Sequence, residues 1–394
     1  MAGNAAPALC WWLAGSRSSP SKVNYFAIPA LLAGIYQLLA LVAALRRLRE
    51  RAPDSGYCPP ISILKPVRGA ESGFAEAIRS QAGQDYPDFE MLFGSGDPRD
   101  PAIAEVRRVA AEFPAGRIRV IEGGADVDAW PNAKVGMLER LAREARHGVL
   151  VVSDSDITVG AGYLRQVAAP LADPGIGMVT CLYRATVAAG SGLAARLEAI
   201  GVSADFTPGI LVARTLGVAE FALGSTMVFR AVDLERIGGF AAIGDYLADD
   251  YQLGRRISEL GGKVMLASAV VETRMSGQGW GEVWRHQLRW SRTIRVSRSG
   301  YYGYAITNAT VWSLVALAGG AWPAAILAMA ARMATGLITG LAVLGDRQLI
   351  RYWFLIPVRD LWGFAVWAAA LAGDTVEWRG RKLRLREDGR ISGA

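Results

Sequence analysis

The sequence predicts an α/β protein, a mostly parallel, doubly wound sheet carried between membrane-length apolar helices. Three observations carry that expectation. From residue 61 onward, short apolar runs alternate with segments of helical period; uncharged stretches lie on either side; and 52% of the 394 residues are hydrophobic, a high share for a wholly soluble chain. Alternation of strand and helix favours right-handed crossovers and hence a parallel sheet.

Taken in order, residues 1–22 form an N-terminal segment and residues 23–45 a transmembrane helix. No residue from Val23 to Leu45 is charged. At 1.5 Å rise, about 23 residues give roughly 34 Å, enough to cross a hydrocarbon core. A cleaved signal peptide would be shorter and would end in small residues rather than Arg46-Arg47-Leu48-Arg49-Glu50-Arg51. These arginines outnumber Arg17 and Lys22 before the span, so the positive-inside rule puts the following domain in the cytoplasm. Residues 46–60 read as a basic linker.

Residues 61–303 carry the α/β pattern. Ile61 to Val67, Glu90 to Ser95, Ile118 to Ile121, Val149 to Ser153 and Met178 to Tyr183 read as short buried strands. Phe74 to Ala82, Pro101 to Phe113, Ala133 to Ala145 and Ala161 to Leu171 have helical period, and Asp100-Pro101 is a good helix start. Farther on, Phe221 to Phe229 and Lys263 to Val271 read as β-rich around a helix from about Asp250 to Leu260. The apolar stretch Ile200 to Leu216 reads either as an entrance for a lipid or as a plain buried helix.

Residues 304–373 are C-terminal membrane segments. Ala305 to Leu344 carries one charge, Arg332, and suggests a hairpin turning near Gly319-Gly320 and Trp322-Pro323 or one span plus an interfacial piece. Leu349 to Gly373 is apolar apart from Arg351 and Arg359-Asp360, which fits a buried ion pair, a re-entrant element or a surface segment. The tail, residues 374–394, is strongly basic and reads as cytoplasmic, which calls for an even number of crossings, two, after the α/β domain. The expectation is a multi-pass cell-membrane protein.

Composition narrows the chemistry. Three scattered cysteines, Cys10, Cys58 and Cys181, form neither a redox pair nor a disulfide framework. With two histidines, His147 and His286, any metal would need oxygen ligands. The net charge of +7 sits beside the apolar segments and in the tail, which suits an anionic lipid bilayer better than nucleic acid, for which no motif is present.

The polar residues that interrupt this pattern form an ordered series. Asp97 follows the second strand and Asp154-Ser155-Asp156 the fourth, so both fall at the carboxyl edge of the sheet, where ligands bind in doubly wound folds. Asp97 in Gly94-Ser95-Gly96-Asp97 is read as a helix-leading cap or as an acceptor for a base or ribose. Asp154 and Asp156 can hold Mg²⁺ or Mn²⁺ against two phosphates, although short acidic turns are more often only solvated. Lys134 in Pro131-Asn132-Ala133-Lys134 is an exposed helix lysine or a phosphate-side cation. Asp249-Asp250 are dipole-favoured helix acids or, on the chemical reading, a general base, Asp250, tuned by its like-charged neighbour. From Trp284 to Arg298 the cations Arg285, Arg289, Arg292 and Arg295 recur at helical spacing, as in a helix on anionic lipid; Arg289 can also stabilise a leaving diphosphate. Together the series suits inverting chemistry on a nucleotide-diphosphate sugar, with a lipid as acceptor.

At these residues the chain resembles the ceramide glucosyltransferase (glucosylceramide synthase) family, membrane members of the GT-A (Rossmann-like) glycosyltransferases. The resemblance runs from about Ile61 to Gly303, with an echo in Trp378-Arg379-Gly380-Arg381-Lys382-Leu383-Arg384. It rests on Ile63-Leu64-Lys65-Pro66-Val67-Arg68-Gly69, Gln84-Asp85-Tyr86-Pro87, Asp97 with Asp100-Pro101-Ala102, Asn132 with Lys134, Asp154-Ser155, Ala248-Asp249-Asp250-Tyr251 and Arg289-Trp290. It implies nucleotide contact at Asp97, metal and diphosphate at Asp154, the base at Asp250 and a closing pair Arg289-Trp290. His286 stands where the pattern has Gln or Arg, and can still donate to phosphate. Asp156 stands where the animal ceramide enzymes resemble Asp-Ser-Gly. Bacterial glycosyltransferases that modify hopanoid polyols look similar. The implied reaction is transfer of a hexose from a UDP-sugar to a membrane-lipid hydroxyl, with UDP-glucose to ceramide first and UDP-N-acetylglucosamine to a hopanoid polyol as the alternative. A processive polysaccharide synthase shares the acids but usually needs more spans. A non-catalytic lipid-binding or scaffold subunit is the alternative from another class.

Overall fold

The computed structural model describes residues 24–393 apart from 53–54, 71–72, 124–126, 128–129, 189, 219, 276–278 and 379. The segment 1–22, with Cys10, Arg17 and Lys22, and Val23 lie outside the described residues.

The strands are β1 (Ile61–Pro66), β2 (Phe89–Ser95), β3 (Ile118–Glu122), β4 (Val149–Val152), β5 (Ile176–Val187), β6 (Met227–Arg230) and β7 (Lys263–Met275). They form one sheet in the order β3-β2-β1-β4-β6-β5-β7. β1 pairs in parallel with both β2 and β4, β2 in parallel with β3, and β5 in parallel with β7, while β6 runs antiparallel between β4 and β5. The order reverses between β1 and β4, so a crevice opens at their carboxyl ends.

Period-two alternation divides the core. Ile61, Ile63, Met91, Phe93, Val149 and Val151 face the layer of α2 (Phe74–Ala82), α3 (Pro101–Ala110) and α5 (Tyr163–Ala168). Leu64, Leu92, Leu150 and Val152 face the opposite layer, which includes Val135, Leu138 and Leu141 of α4 (Ala133–Glu144). Truncating one of these side chains, such as fully buried Phe93 to alanine, costs about 3–5 kcal/mol.

Several boundaries differ from the sequence expectation. α5 ends at Ala168 and passes into a tighter turn at Ala169–Ala172, because Pro170 cannot continue an α-helical ladder. Of the stretch 221–229 only the last three residues are strand, the start of β6; Leu223 and Thr226 close a tight bridge around Gly224 instead. The stretch 200–216 is a broken helix: α6 (Leu193–Gly201), a π-helical turn at Val202–Phe206, and α7 (Thr207–Thr215).

The first apolar helix, α1, spans Ala27–Arg49, so the arginines at 46, 47 and 49 belong to its last turn rather than to a linker. After α8 (Asp249–Glu259) and α9 (Trp280–Ser297), the chain forms α10 (Ala309–Ala318), turns at Gly319-Gly320, and returns as α11 (Trp322–Leu337) before α12 (Ile356–Ala370). Gly320 sits at φ 75°, where a side chain would be strained, and Pro323 occupies the first turn of α11. Two helices are long and apolar enough to cross a membrane, Ala27–Arg49 and Trp322–Val343, the second including a π-helical end. Among the described residues one such helix follows the α/β domain, and α10 and α12 are shorter. α1 and α11 meet along a seam of small residues, with Gly34 against Ala328, while Ile35 and Leu327 point outward, each 63% exposed. Asp360 pairs with Arg332 rather than with its neighbour Arg359. Arg332 Nη2 and Nε donate to its two oxygens at 2.6 and 2.8 Å.

The basic tail is folded. Strands β8 (Thr375–Trp378), β9 (Arg381–Leu385) and β10 (Ile391–Gly393) form an antiparallel sheet whose Val376, Leu383, Leu385 and Ile391 pack on Leu247. The alternation in Arg381-Lys382-Leu383-Arg384-Leu385 puts cations outside and leucines inside. β10 reaches the α/β domain itself: Ile391 N donates to Asp245 O at 2.7 Å.

Candidate active site

The crevice between β1 and β4 gathers the acidic series. Asp100 caps α3 by accepting from Ala102 N at 2.9 Å, and also accepts from Gly69 N at 2.9 and 3.1 Å, tying the loops after β1 and β2 together. These loops bound a cleft of about 330 Å³ lined by Arg68, Asp97, Arg99 and Lys134 among others. Asp97 is exposed in it and accepts from Arg99 N at 2.9 Å. The cap-like turn and an open carboxylate thus coexist.

Lys134 is delivered by the start of α4. Asn132 caps that helix, accepting from Lys134 N at 3.0 Å, and donates to Tyr246 O at 2.8 Å, so one side chain fixes both the lysine and the loop that leads to α8. Lys134 Nζ lies 3.0 Å from Asp154 Oδ1 and 3.0 Å from Asp249 Oδ2. Burial opposes its charge, but Asp154, Asp249 and Asp250 outweigh burial and hold the ammonium above its ordinary range. The exposed-lysine reading is thereby set aside. Its side chain is 12% exposed.

Asp250 sits at the head of α8. Its Oδ2 accepts from Gly224 N at 3.0 Å and its Oδ1 from Tyr251 N at 2.7 Å. Burial first, and the charge of Asp249 second, push its carboxyl up to about 6, with Lys134 pulling the other way. A Cβ on Gly224 would stand 3.3 Å from Asp154 Oδ2 and 3.4 Å from Asp250 Oδ2. The two carboxylates therefore converge on a cradle that glycine keeps open.

Asp156 is half-buried and accepts from Thr273 Oγ1 on β7. Burial, then Asp154, raises its carboxyl above the usual range, against the hydrogen bond from Thr273. Beneath both acids lies Lys65, fully buried at the end of β1, whose Nζ donates to Asp154 O at 2.6 Å. Burial pushes it down to about 7, against the pull of Asp156 and Asp154. No role for Lys65 was legible in the sequence. A lysine inside an apolar strand, Ile61-Ser62-Ile63-Leu64-Lys65, is the signal that marks it.

α9 supplies the closing residues. His286, Arg289 and Trp290 are spaced three and four apart and share a face. His286 Nδ1 lies 2.6 Å from Glu198 Oε1 on α6, and the imidazole packs on Trp290 with ring centroids 4.3 Å apart. Arg289 is half-buried. Arg292 and Arg295 do not face outward as a lipid-binding row. Arg292 Nη2 donates to Ala372 O at 2.7 Å, and Arg295 donates to Leu371 O and Gly373 O at 2.8 and 2.7 Å, capping the carbonyls that follow α12.

The sequence profile of glycosyl transferase family 21 matches residues 25–391, almost the whole chain. The chain belongs to glycosyl transferase family 21. Within this family its similarity to named relatives is distant. It is 24% identical to ceramide glucosyltransferase 3 of Caenorhabditis elegans over 271 residues, 66% of this chain and 57% of that one. To ceramide glucosyltransferase 1 of the same organism it is 25% identical over 239 residues, 59% of this chain and 49% of the relative. The chain thus spans about half the length of these curated relatives. Among solved structures, a mannosyltransferase from Pyrobaculum calidifontis, in complex with GDP-Man and Mn²⁺, is similar in fold, with a TM-score of 0.53 and 22% identity over 88% of this chain and 98% of that one. The fold of this family 21 member is therefore that of a nucleotide-sugar glycosyltransferase.

Proposed function

We propose that the chain is a membrane-held, inverting glycosyltransferase that moves one hexose from a UDP-sugar to a lipid hydroxyl, with UDP-glucose and ceramide as the first pair. The observation that carries this reading is the convergence of Asp154 and Asp250 on the Gly224 cradle, with Lys134 within ion-pair distance of Asp154. The likeness to ceramide glucosyltransferases supports the acceptor. The outward apolar faces of α1 and α11 support a catalytic domain, residues 61–303, held at a membrane, and the arginines in the last turn of α1 support its facing the cytoplasm.

Each residue has a task in that reaction. Asp97 accepts a hydrogen bond from the base or ribose in the cleft after β2. Lys134 meets the diphosphate at the start of α4, and Arg289, with His286 and Trp290 on the same face, closes over it. Asp250, aimed by Gly224 N and Tyr251 N, takes the proton of the acceptor hydroxyl as that oxygen bonds to the anomeric carbon. The bond from this carbon to the diphosphate breaks, and UDP departs with the electron pair. One displacement from the opposite face inverts the anomeric centre.

Mg²⁺ or Mn²⁺ fits the donor set. Asp154 presents a hard carboxylate oxygen to the cradle, and because the described residues hold no cluster of three or more His, Cys, Asp or Glu, diphosphate oxygens would complete the shell. Asp154 would hold the ion, with Asp156 behind it through the oxygen not committed to Thr273. When bound, the ion neutralises charge on the departing diphosphate.

Transfer of N-acetylglucosamine from its UDP-sugar to a hopanoid polyol is the second reading, favoured by His286 and Asp156. Purified protein given UDP-glucose or UDP-N-acetylglucosamine against ceramide, diacylglycerol and a hopanoid polyol, with products weighed by mass spectrometry, decides between them. Glucose on ceramide is expected; glucose on diacylglycerol alone would overturn the acceptor. Absence of UDP release with lipid present would leave the scaffold reading in its place, and release that does not depend on Asp250 would overturn the base.

A further inference from the structure

A polar line leaves the active site along α6 and enters the apolar helices. Glu198, Gly201 and Asp205 follow one another on α6 and the π-helical turn, and their contacts run in the same order. Glu198 holds His286 through Oε1, yet its Oε2 is buried and has no hydrogen-bond partner. Gly201 faces Arg359 of α12: a Cβ there would stand 2.2 Å from Arg359 Nε, so only glycine admits the guanidinium. Asp205 lies 3.8 Å from Arg359 Nη2 and accepts from Tyr304 Oη at 3.2 Å.

Arg359 contrasts with nearby Arg332. Arg332 hydrogen-bonds through three nitrogens, two to Asp360 and one to Ala204 O at 2.9 Å, as a structural intramembrane arginine should. Arg359 Nε and Nη1 are buried without partners. A buried charged donor left unmade is costly, and so is the unpaired oxygen of Glu198. Two unsatisfied groups of opposite hydrogen-bonding sense, Glu198 of α6 and Arg359 of α12, therefore meet the same face of α6, one at Glu198 and one at Gly201, in a region otherwise lined by Leu197, Ile200, Ala204 and Ile356. Tyr183 lies beside the line. Its ring packs on Phe206, centroids 5.6 Å apart, and burial first and then the charges of Asp250, Asp154 and Glu198 raise its phenol. π-Helical turns such as Val202–Phe206 often occur at functional sites.

We propose that Glu198 and Arg359, with Asp205 and Tyr304, form a subsite for the polar head of the acceptor lipid. It takes a neutral head that carries, besides the reacting hydroxyl, both a hydrogen-bond donor and an acceptor, such as a secondary amide. The N–H meets Glu198 Oε2 and the carbonyl meets Arg359. An ester head offers acceptors alone and leaves Glu198 unpaired. This subsite rests on the lipid-acceptor reading above and deepens it.

The test uses the full chain in detergent micelles with UDP-glucose and three probes: a short-chain ceramide, the same ceramide methylated on its amide nitrogen, and a short-chain diacylglycerol. For the unaltered chain, loss of the N–H is expected to lower kcat/KM by about tenfold, the effect of one hydrogen bond to a charged group. Arg359→Met is expected to raise the KM for ceramide about tenfold while the KM for UDP-glucose, read from its slow hydrolysis, stays within about twofold. Equal use of ceramide and its N-methyl form by the unaltered chain overturns the subsite, whether or not the variant folds. An unchanged ceramide KM in a variant that still hydrolyses donor overturns the role of Arg359. Absence of transfer to any lipid by the unaltered chain overturns the lipid-acceptor reading, and the subsite with it.

Discussion

Lys134 Nζ and Asp154 Oδ1 lie 3.0 Å apart, an ion pair that ties the first turn of α4 to the carboxyl end of β4. The same ammonium is 3.0 Å from Asp249, the neighbour of the proposed base Asp250, so one cation stands between the acid proposed for the diphosphate and the pair that holds the proposed base.

Replacing Lys134 by Met should therefore act on two things. Loss of the charge proposed to meet the departing diphosphate is expected to lower kcat by about 10²–10³. Because Lys134 also lowers the carboxyl of Asp250, its loss should move the acidic limb of the pH profile upward. A kcat against pH series from pH 5 to 9 checks both, and an unmoved limb would separate Lys134 from the base.

As the proposed base, Asp250 must be deprotonated in the unaltered chain to accept a proton. With its carboxyl raised to about 6, turnover should climb between pH 5 and 7 and then level. Asp250→Asn should lower kcat by about 10²–10⁴ while leaving UDP-sugar affinity near its starting value, read by calorimetry and initial rates.

Lys65 ties stability to pH. Its folded pKa near 7 lies below the ordinary lysine value of 10.5, so between these limits the unfolded chain binds more protons than the folded one. The lysine's contribution therefore becomes more favourable as pH rises from 7 towards 10.5. Lys65→Met should flatten that slope in thermal melts at pH 7 and pH 9. It should also slow turnover, because Asp154 loses the donor to its carbonyl.

The C-terminal sheet should be required for a competent base. β10 bonds to Asp245, four residues before Asp249, and Arg390 Nε donates to Tyr246 Oη at 3.3 Å. Leu383→Ala, which opens a cavity under β9, is expected to cost about 2–4 kcal/mol in chemical unfolding. Removal of residues 374–394 should depress kcat more than the KM for UDP-sugar.

Much of this site was legible because strand alternation and position relative to strand ends are local properties. Val149–Val152 delivers Asp154 to the same edge as Asp97 whatever else the chain does. The breaks at Pro170 and around Gly224 were not read, since each depends on a turn whose purpose appears only in three dimensions. The tail was read by its charge and its family echo, although its alternation and Gly380, at φ 76°, already describe a hairpin.

What the sequence by itself determined is the order of the acids, their places at strand and helix ends, and the length of the first apolar helix. Periodicity, capping and hydrophobicity act over a few residues and can be read along the chain. Tertiary structure alone decided that Lys134 meets both Asp154 and Asp249, that Lys65 lies beneath Asp154, that His286 pairs with Glu198, and that Arg332 rather than Arg359 pairs with Asp360. Each of these joins charged groups far apart in sequence, and burial among packed helices and strands sets the partner, because a dry charge is stable only beside the group that satisfies it.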